Sequence, residues 1–228
     1  MENTYSEKEW QVYLQPTPFI DSDHPDVIDF ARATCGSTGS DIQRGIKLYY
    51  RIRDMIRYSP YRIGFDPERY KASWLLREKS GFCIQKAILL AAAARAAGIP
   101  TRLGFADVRN HLATERLKAL MRTDEFVFHG YSELFLAGKW VKATPAFNLT
   151  LCEKFGVKAL EFDGRNDSIF HPLDRAGNTH MEYIRDHGQF ADFPLDKMIR
   201  AFEDGYPHLF SNDGPGWPVE GDFEREAG

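Results

Sequence analysis

A chain of 228 residues that is 43% hydrophobic and 14% aromatic has enough apolar side chain to bury the core of one domain. Its 29 Lys+Arg against 33 Asp+Glu leave a formal net charge of -4. No basic run is dense enough to follow a phosphate backbone, so nucleic acid is not an expected partner. The start, MENTYSEKEW, is polar and acidic where an export signal needs a basic start and an apolar core. The longest apolar stretch, 87–99, is interrupted by Arg95 and is shorter than the roughly 20 residues that span a bilayer. Neither a membrane partner nor export is expected. Cys35, Cys83 and Cys152 are odd in number and far apart, a pattern that suits neither a disulfide framework nor a zinc site. A reducing, cytoplasmic location fits, and no cofactor is implied.

Residues 1–24 are polar and contain Pro16 and Pro18, and 205–228 are rich in Gly, Pro and acids. Both read as extensions with little regular structure around a domain at 25–204. Over 41–58, Ile42, Ile46, Tyr49, Ile52 and Ile56 recur at helical spacing behind Ser40 or Asp41 as N-cap. A short helical pattern at 71–79 leads to Ser80-Gly81-Phe82-Cys83. The run CIQKAILLAAAARAA at 83–97 consists of strong helix formers, and Gly98 with Pro100 stops it. Its alanines let neighbouring backbones approach, which predicts a central helix. A strand follows at 101–108, then a short helix or ordered loop at 112–121.

Segments 126–135 and 139–147 flank Ala137-Gly138, a hairpin turn. Pairing Leu136 with Lys139 sets Glu133 opposite Lys142 and Phe128 opposite Phe147, and a one-residue slip loses both pairs. In this register Ala146 faces His129, with Thr144 and Asn148 as its diagonal neighbours. Beyond 149 the pattern is irregular until an amphipathic stretch at 195–202. The expected fold class is α+β, with the Cys83 helix packed on an antiparallel sheet that contains the hairpin.

A cysteine in the first turn of a helix lies beside unpaired N–H groups and the positive end of the helix dipole. Both favour thiolate, and the same N–H groups can receive an oxyanion. An isolated cysteine in an Ala-rich helix is more often a packing residue, so the second observation is needed. His129 supplies it, on a strand able to reach the helix start and act as general base. The pair predicts a Cys83 pKa well below the free value of about 8.5. A third group must hold the imidazole, and Thr144 or Asn148 is placed to do so.

Three stretches together resemble the transglutaminase-like superfamily of papain-like cysteine enzymes. They are the helix end RIRDMIRYSPY, the run KSGFCIQKAILLAAAARAAGIPTRLGF and the strand pair HGYSELFLAGKWVKATP. Gly81-Phe82-Cys83 is similar to the nucleophile motif, and His129, Tyr131, Glu133, Gly138, Trp140 and Pro145 follow the family's histidine strand in order and spacing. The resemblance implies a transglutaminase-like core and catalysis by Cys83 and His129, with Thr144 where the family usually places aspartate. It implies an acyl-thioester formed on a peptide or protein amide, resolved by water or by an amine. The alternative is a cleft that binds a peptide or partner protein without catalysis.

The stretch HPLDRAGNTHMEYIRDHG carries His171, His180 and His187 with Glu182 and Asp186. Its spacing matches no known metal-binding pattern, and it reads as a loop able to fold over the cleft. Asp163, in EFDG, is a further acid able to return to the site.

Overall fold

The computed structural model describes residues 10–37, 39–111, 113–170, 181–211 and 219–227. Helix α1 (Pro25–Cys35) opens with Pro at its first turn and His24 accepting from the Asp26 N–H. Helix α2 (Asp41–Met55) starts in a capping box, Ser40 and Gln43 each bonding the other's backbone. It ends at Met55, earlier than the pattern over 41–58 suggests. Strand β1 (Arg57–Tyr58) follows, then helix α3 (Ala72–Glu78), strand β2 (Ser80–Gly81) and helix α4 (Cys83–Ala96). Strand β3 (Thr101–Asn110), helix α5 (Glu115–Met121), strand β4 (Glu125–Leu136), strand β5 (Lys139–Ala143) and helix α6 (Leu149–Lys154) come next. Strand β6 (Met181–Phe190), helix α7 (Leu195–Gly205) and helix α8 (Phe223–Glu226) complete the order.

The fold is α+β. A four-stranded antiparallel sheet runs β5-β4-β3-β6, and β1 and β2 form a separate parallel pair. Helix α4 lies at the centre, with every residue from Cys83 to Arg95 buried, as its alanines predicted. Lys86 is fully buried, and its Nζ donates to the carbonyls of Arg53 at 2.9 Å and Ile56 at 2.6 Å. It thereby satisfies carbonyls at the end of α2 and ties that end to helix α4.

The hairpin register is as derived from Leu136↔Lys139 through Glu133↔Lys142. It stops at Ser132↔Ala143, however, because the Thr144 N–H turns away to the Ser168 carbonyl at 3.1 Å. Phe128 therefore does not pair with Phe147. It stacks on Phe105 at 4.6 Å, while Phe147 packs on Tyr58 at 4.8 Å. Residues 181–190, read from sequence as part of a loop, form the edge strand β6 against β3. Most of their side chains are exposed, so no apolar alternation marks the strand.

The described parts of the flanking segments pack on the rest of the fold. Ile20 is fully buried, and the Gln15 carbonyl accepts from Arg95 at 2.6 Å. At the other end Tyr206, Leu209 and Phe223 are buried. Among the described residues, no helix is long and apolar enough to cross a membrane.

Candidate active site

Three devices place Cys83. First, the β1–β2 ladder pairs Tyr58 with Gly81, two residues before the cysteine. Second, the Gln85 side chain reaches back to accept from the Phe82 N–H at 3.2 Å while donating to the Arg69 carbonyl at 2.8 Å. Third, Gly81 lets the chain pass close to these side chains, since a Cβ there would lie 2.5 Å from Gln85 Oε1 and 2.6 Å from Leu75 Cδ1 and force them to shift. The thiol is thus held at the N-terminus of a buried helix.

His129 sits in β4 opposite Ala106. Just before it the β3–β4 register shifts, between Ala106 and Val108, and Phe128 adopts a left-handed conformation with φ of 60°. A carboxylate holds this irregularity: Asp107 Oδ1 accepts from the Phe128 N–H at 2.9 Å and lies 2.6 Å from His187 Nε2. Bulges re-aim the side chains beside them, and this one directly precedes the histidine. Asp107 and the Phe128 conformation were missed in the sequence, and His187 was read there only as part of a loop over the cleft. No local signal announces them, because the partners come from three strands.

Gly130 brings the two elements together. A Cβ on it would stand 2.9 Å from the Ile84 Cα, so strand and helix are in backbone contact there. The backbone N–H groups of Gly130, Ile84 and Cys83 itself act on the Cys83 thiol in the direction that favours thiolate. Such a set of N–H groups is suited to an oxyanion. A glycine within a strand is a sign of close backbone approach, and it was available in the sequence beside His129.

Cys83 and His129 line one apolar cavity with Tyr58, Phe147, Phe202 and Phe223. The cavity is narrow, about 50 Å³. Burial controls the charge state here. It pushes the Cys83 thiol up to about 11, against the lowering effect of the three N–H groups. It pushes the His129 imidazole down to about 4. The depressed thiol pKa expected from helix position is therefore overturned for this conformation. Desolvation of an anion in an aromatic enclosure exceeds what one helix end returns.

His129 Nε2 and Thr144 Oγ1 are both buried without a hydrogen-bond partner, so Thr144 does not bond the imidazole in this arrangement. Asn148 is committed elsewhere. Its Oδ1 accepts from the Tyr58 N–H at 3.0 Å, and its Nδ2 donates to Thr150 Oγ1 at 2.7 Å. Asp163 closes its own turn, accepting from Arg165 and Asn166, bonds that hold its carboxyl below the ordinary carboxylate range. Asp186 Oδ1 accepts from the Gly188 N–H at 2.6 Å, and Glu182 bonds His111 at 3.0 Å. His171 and His180 lie outside the described residues.

Residues 16–145, more than half of the chain, match the family profile described as the transglutaminase-like superfamily. The chain belongs to the transglutaminase-like superfamily. Among solved structures, this superfamily member is similar to a cysteine-protease candidate from Cytophaga hutchinsonii, at 16% identity and a TM-score of 0.50. That match covers 81% of this chain and 55% of the other, so the chain spans about half of that neighbour's length. At such identity the likeness concerns the fold. A protease candidate from Parabacteroides distasonis ATCC 8503 matches at 18% identity and a TM-score of 0.38, over 58% of this chain and 26% of the other. That score is too low to carry an argument. No curated protein matches the sequence.

Proposed function

We propose that this transglutaminase-like protein is a cysteine enzyme of peptide or protein amides that works through an acyl-thioester on Cys83. The observation that carries the reading is a cysteine at the N-terminus of buried helix α4, in a cavity that His129 also lines, with the backbone N–H groups of Gly130, Ile84 and Cys83 favouring its thiolate. In the reaction His129 takes the thiol proton as the sulfur attacks the amide carbonyl. The N–H groups receive the oxyanion, and the imidazolium returns its proton to the departing amine. Water or a second amine then releases the acyl group.

Thr144, at the position of the family's aspartate, is the proposed orienting group for His129. His129 Nε2 and Thr144 Oγ1 are both buried without a partner, which leaves each free to take one when substrate binds. The raised thiol pKa belongs to the closed, dry cavity. Opening hydrates the site and removes the penalty that holds the proton on sulfur.

The test is a mixture of glutamine-containing peptides incubated with the full chain, with acylation of Cys83 followed by intact mass and ammonia release by coupled assay. Cys83→Ala is expected to abolish the adduct, and His129→Ala to slow its formation by roughly 10²–10⁴-fold, the usual worth of a general base. An adduct that forms at wild-type rate without His129 would sink the mechanism.

A further inference from the structure

Phe223 lines the cavity that Cys83 and His129 share, and residues 219–227 around it are attached in the manner of a bound peptide. Phe223 is 2% exposed and sits among Tyr58, Tyr61 and Phe155, with ring centroids 5.7, 6.0 and 5.6 Å away. On either side of it the segment is acidic. Arg57 holds Asp222 and, at 3.0 Å, Glu224. Arg116 holds Glu226 at 2.8 Å, and the Tyr61 hydroxyl donates to the same carboxylate. The Val219 N–H donates to the Tyr61 carbonyl at 3.1 Å, and Lys154 Nζ donates to the Glu224 carbonyl at 2.7 Å. Gly221 lies so close to the surface that a Cβ would come within 2.7 Å of the Tyr61 ring and 2.9 Å of the Arg116 guanidinium.

We propose that the surface formed by Arg57, Tyr58, Tyr61 and Arg116 is the peptide-binding side of the Cys83 site. It selects a segment with an aromatic residue flanked by carboxylates, and in this chain residues 219–227 occupy it and close the cleft. This rests on the reading of the site as one that acts on peptide amides. The arrangement suits a releasable occupant. The arginines are half exposed, Arg57 by 47% and Arg116 by 50% of the side chain, so their ion pairs are individually weak and screened by salt. Buried Phe223 is then the anchor, and the tether gives the segment an effective concentration that a free peptide must overcome.

Two variants of the full chain test this. Phe223→Ala removes the anchor, and Gly221→Ala lifts the segment from its backbone without touching the anchor. Folding of each is checked by circular dichroism. The first readout is alkylation of Cys83 by iodoacetamide at pH 8, located by mass spectrometry. The second is fluorescence anisotropy of a labelled Gly-Asp-Phe-Glu-Arg-Glu peptide. Expected are a roughly tenfold or greater rise in alkylation for both variants, equivalent to about 1.4 kcal/mol taken from the closed state. Peptide binding should be at least as much tighter than to wild type, and lost when the probe carries alanine for phenylalanine or lysines for its acids. Folded variants with unchanged alkylation would overturn the proposal. So would binding that ignores the probe's phenylalanine and charge. Freed alkylation and selective binding with no turnover of any peptide amide would leave this inference standing and remove the catalytic reading.

Discussion

Gly130→Ala probes the contact on which the site depends, and its cost can be worked from the geometry. The new Cβ would lie 2.9 Å from the Ile84 Cα and 3.3 Å from Ile84 Cγ1 and Phe105 Cε1, where ordinary contact begins at 3.4 Å. The first of these atoms is backbone in the buried helix α4, so no rotamer change relieves it, and β4 and α4 must part by about half an ångström. Overpacking of this kind costs about 1–3 kcal/mol. At roughly 2–4 °C per kcal/mol for a chain of this size, Tm should fall by about 2–12 °C. On the proposed mechanism the separation also displaces the Gly130 N–H as an oxyanion donor, and amide turnover should then fall by ~10²-fold or more. Gly98→Ala is the matched control. Gly98 has φ of 79° and open space around its Cβ position, so alanine there adds left-handed strain of about 1–2 kcal/mol and leaves turnover unchanged. Thermal melts and initial rates on the two variants decide the matter. Wild-type Tm and turnover in Gly130→Ala would refute the claim that strand and helix backbones touch at this residue.

Burial holds the His129 imidazole at about 4, below the ordinary value of 6.5. The unfolded chain therefore binds a proton that the native one refuses, and stability should fall as pH is lowered from 6.5 through 4, by at most ~3 kcal/mol. Urea titrations across that range should show the slope in wild type and its loss in His129→Phe, and equal slopes would contradict the assignment. Glu133 is 4% exposed at its side chain and bonds Arg102 at 2.6 Å, so Glu133→Leu should cost about 3–5 kcal/mol by stranding the guanidinium. Arg102→Met in the same chain should recover most of that loss, and additive penalties would show that the two residues do not interact. Thr144→Val removes a buried hydroxyl that has no partner, so stability should stay level or rise by up to ~1 kcal/mol. If turnover also stays level, Thr144 does not orient His129.

The sequence by itself determined the elements whose cause is local. Alanine content and the Gly98 stop define α4, Ser40 and Gln43 define the start of α2, and the Ala137-Gly138 turn sets Leu136 opposite Lys139 in the hairpin. The family motifs placed Cys83 and His129 on those elements. What the tertiary structure decided is everything that needs a distant partner. Strand β6 has mostly exposed side chains and becomes a strand only by pairing its backbone with β3. Phe128 takes its left-handed conformation beneath a carboxylate from β3 that a β6 histidine also contacts. Residues 219–227, polar and glycine-containing, gain their place from Arg57, Tyr61 and Arg116, more than a hundred residues away. The charge state of the thiol divides the same way. Position at a helix start argues for thiolate, but the aromatic walls contributed by Tyr58, Phe147, Phe202 and Phe223 exclude water, and desolvation acts on the sulfur more strongly than the helix beneath it.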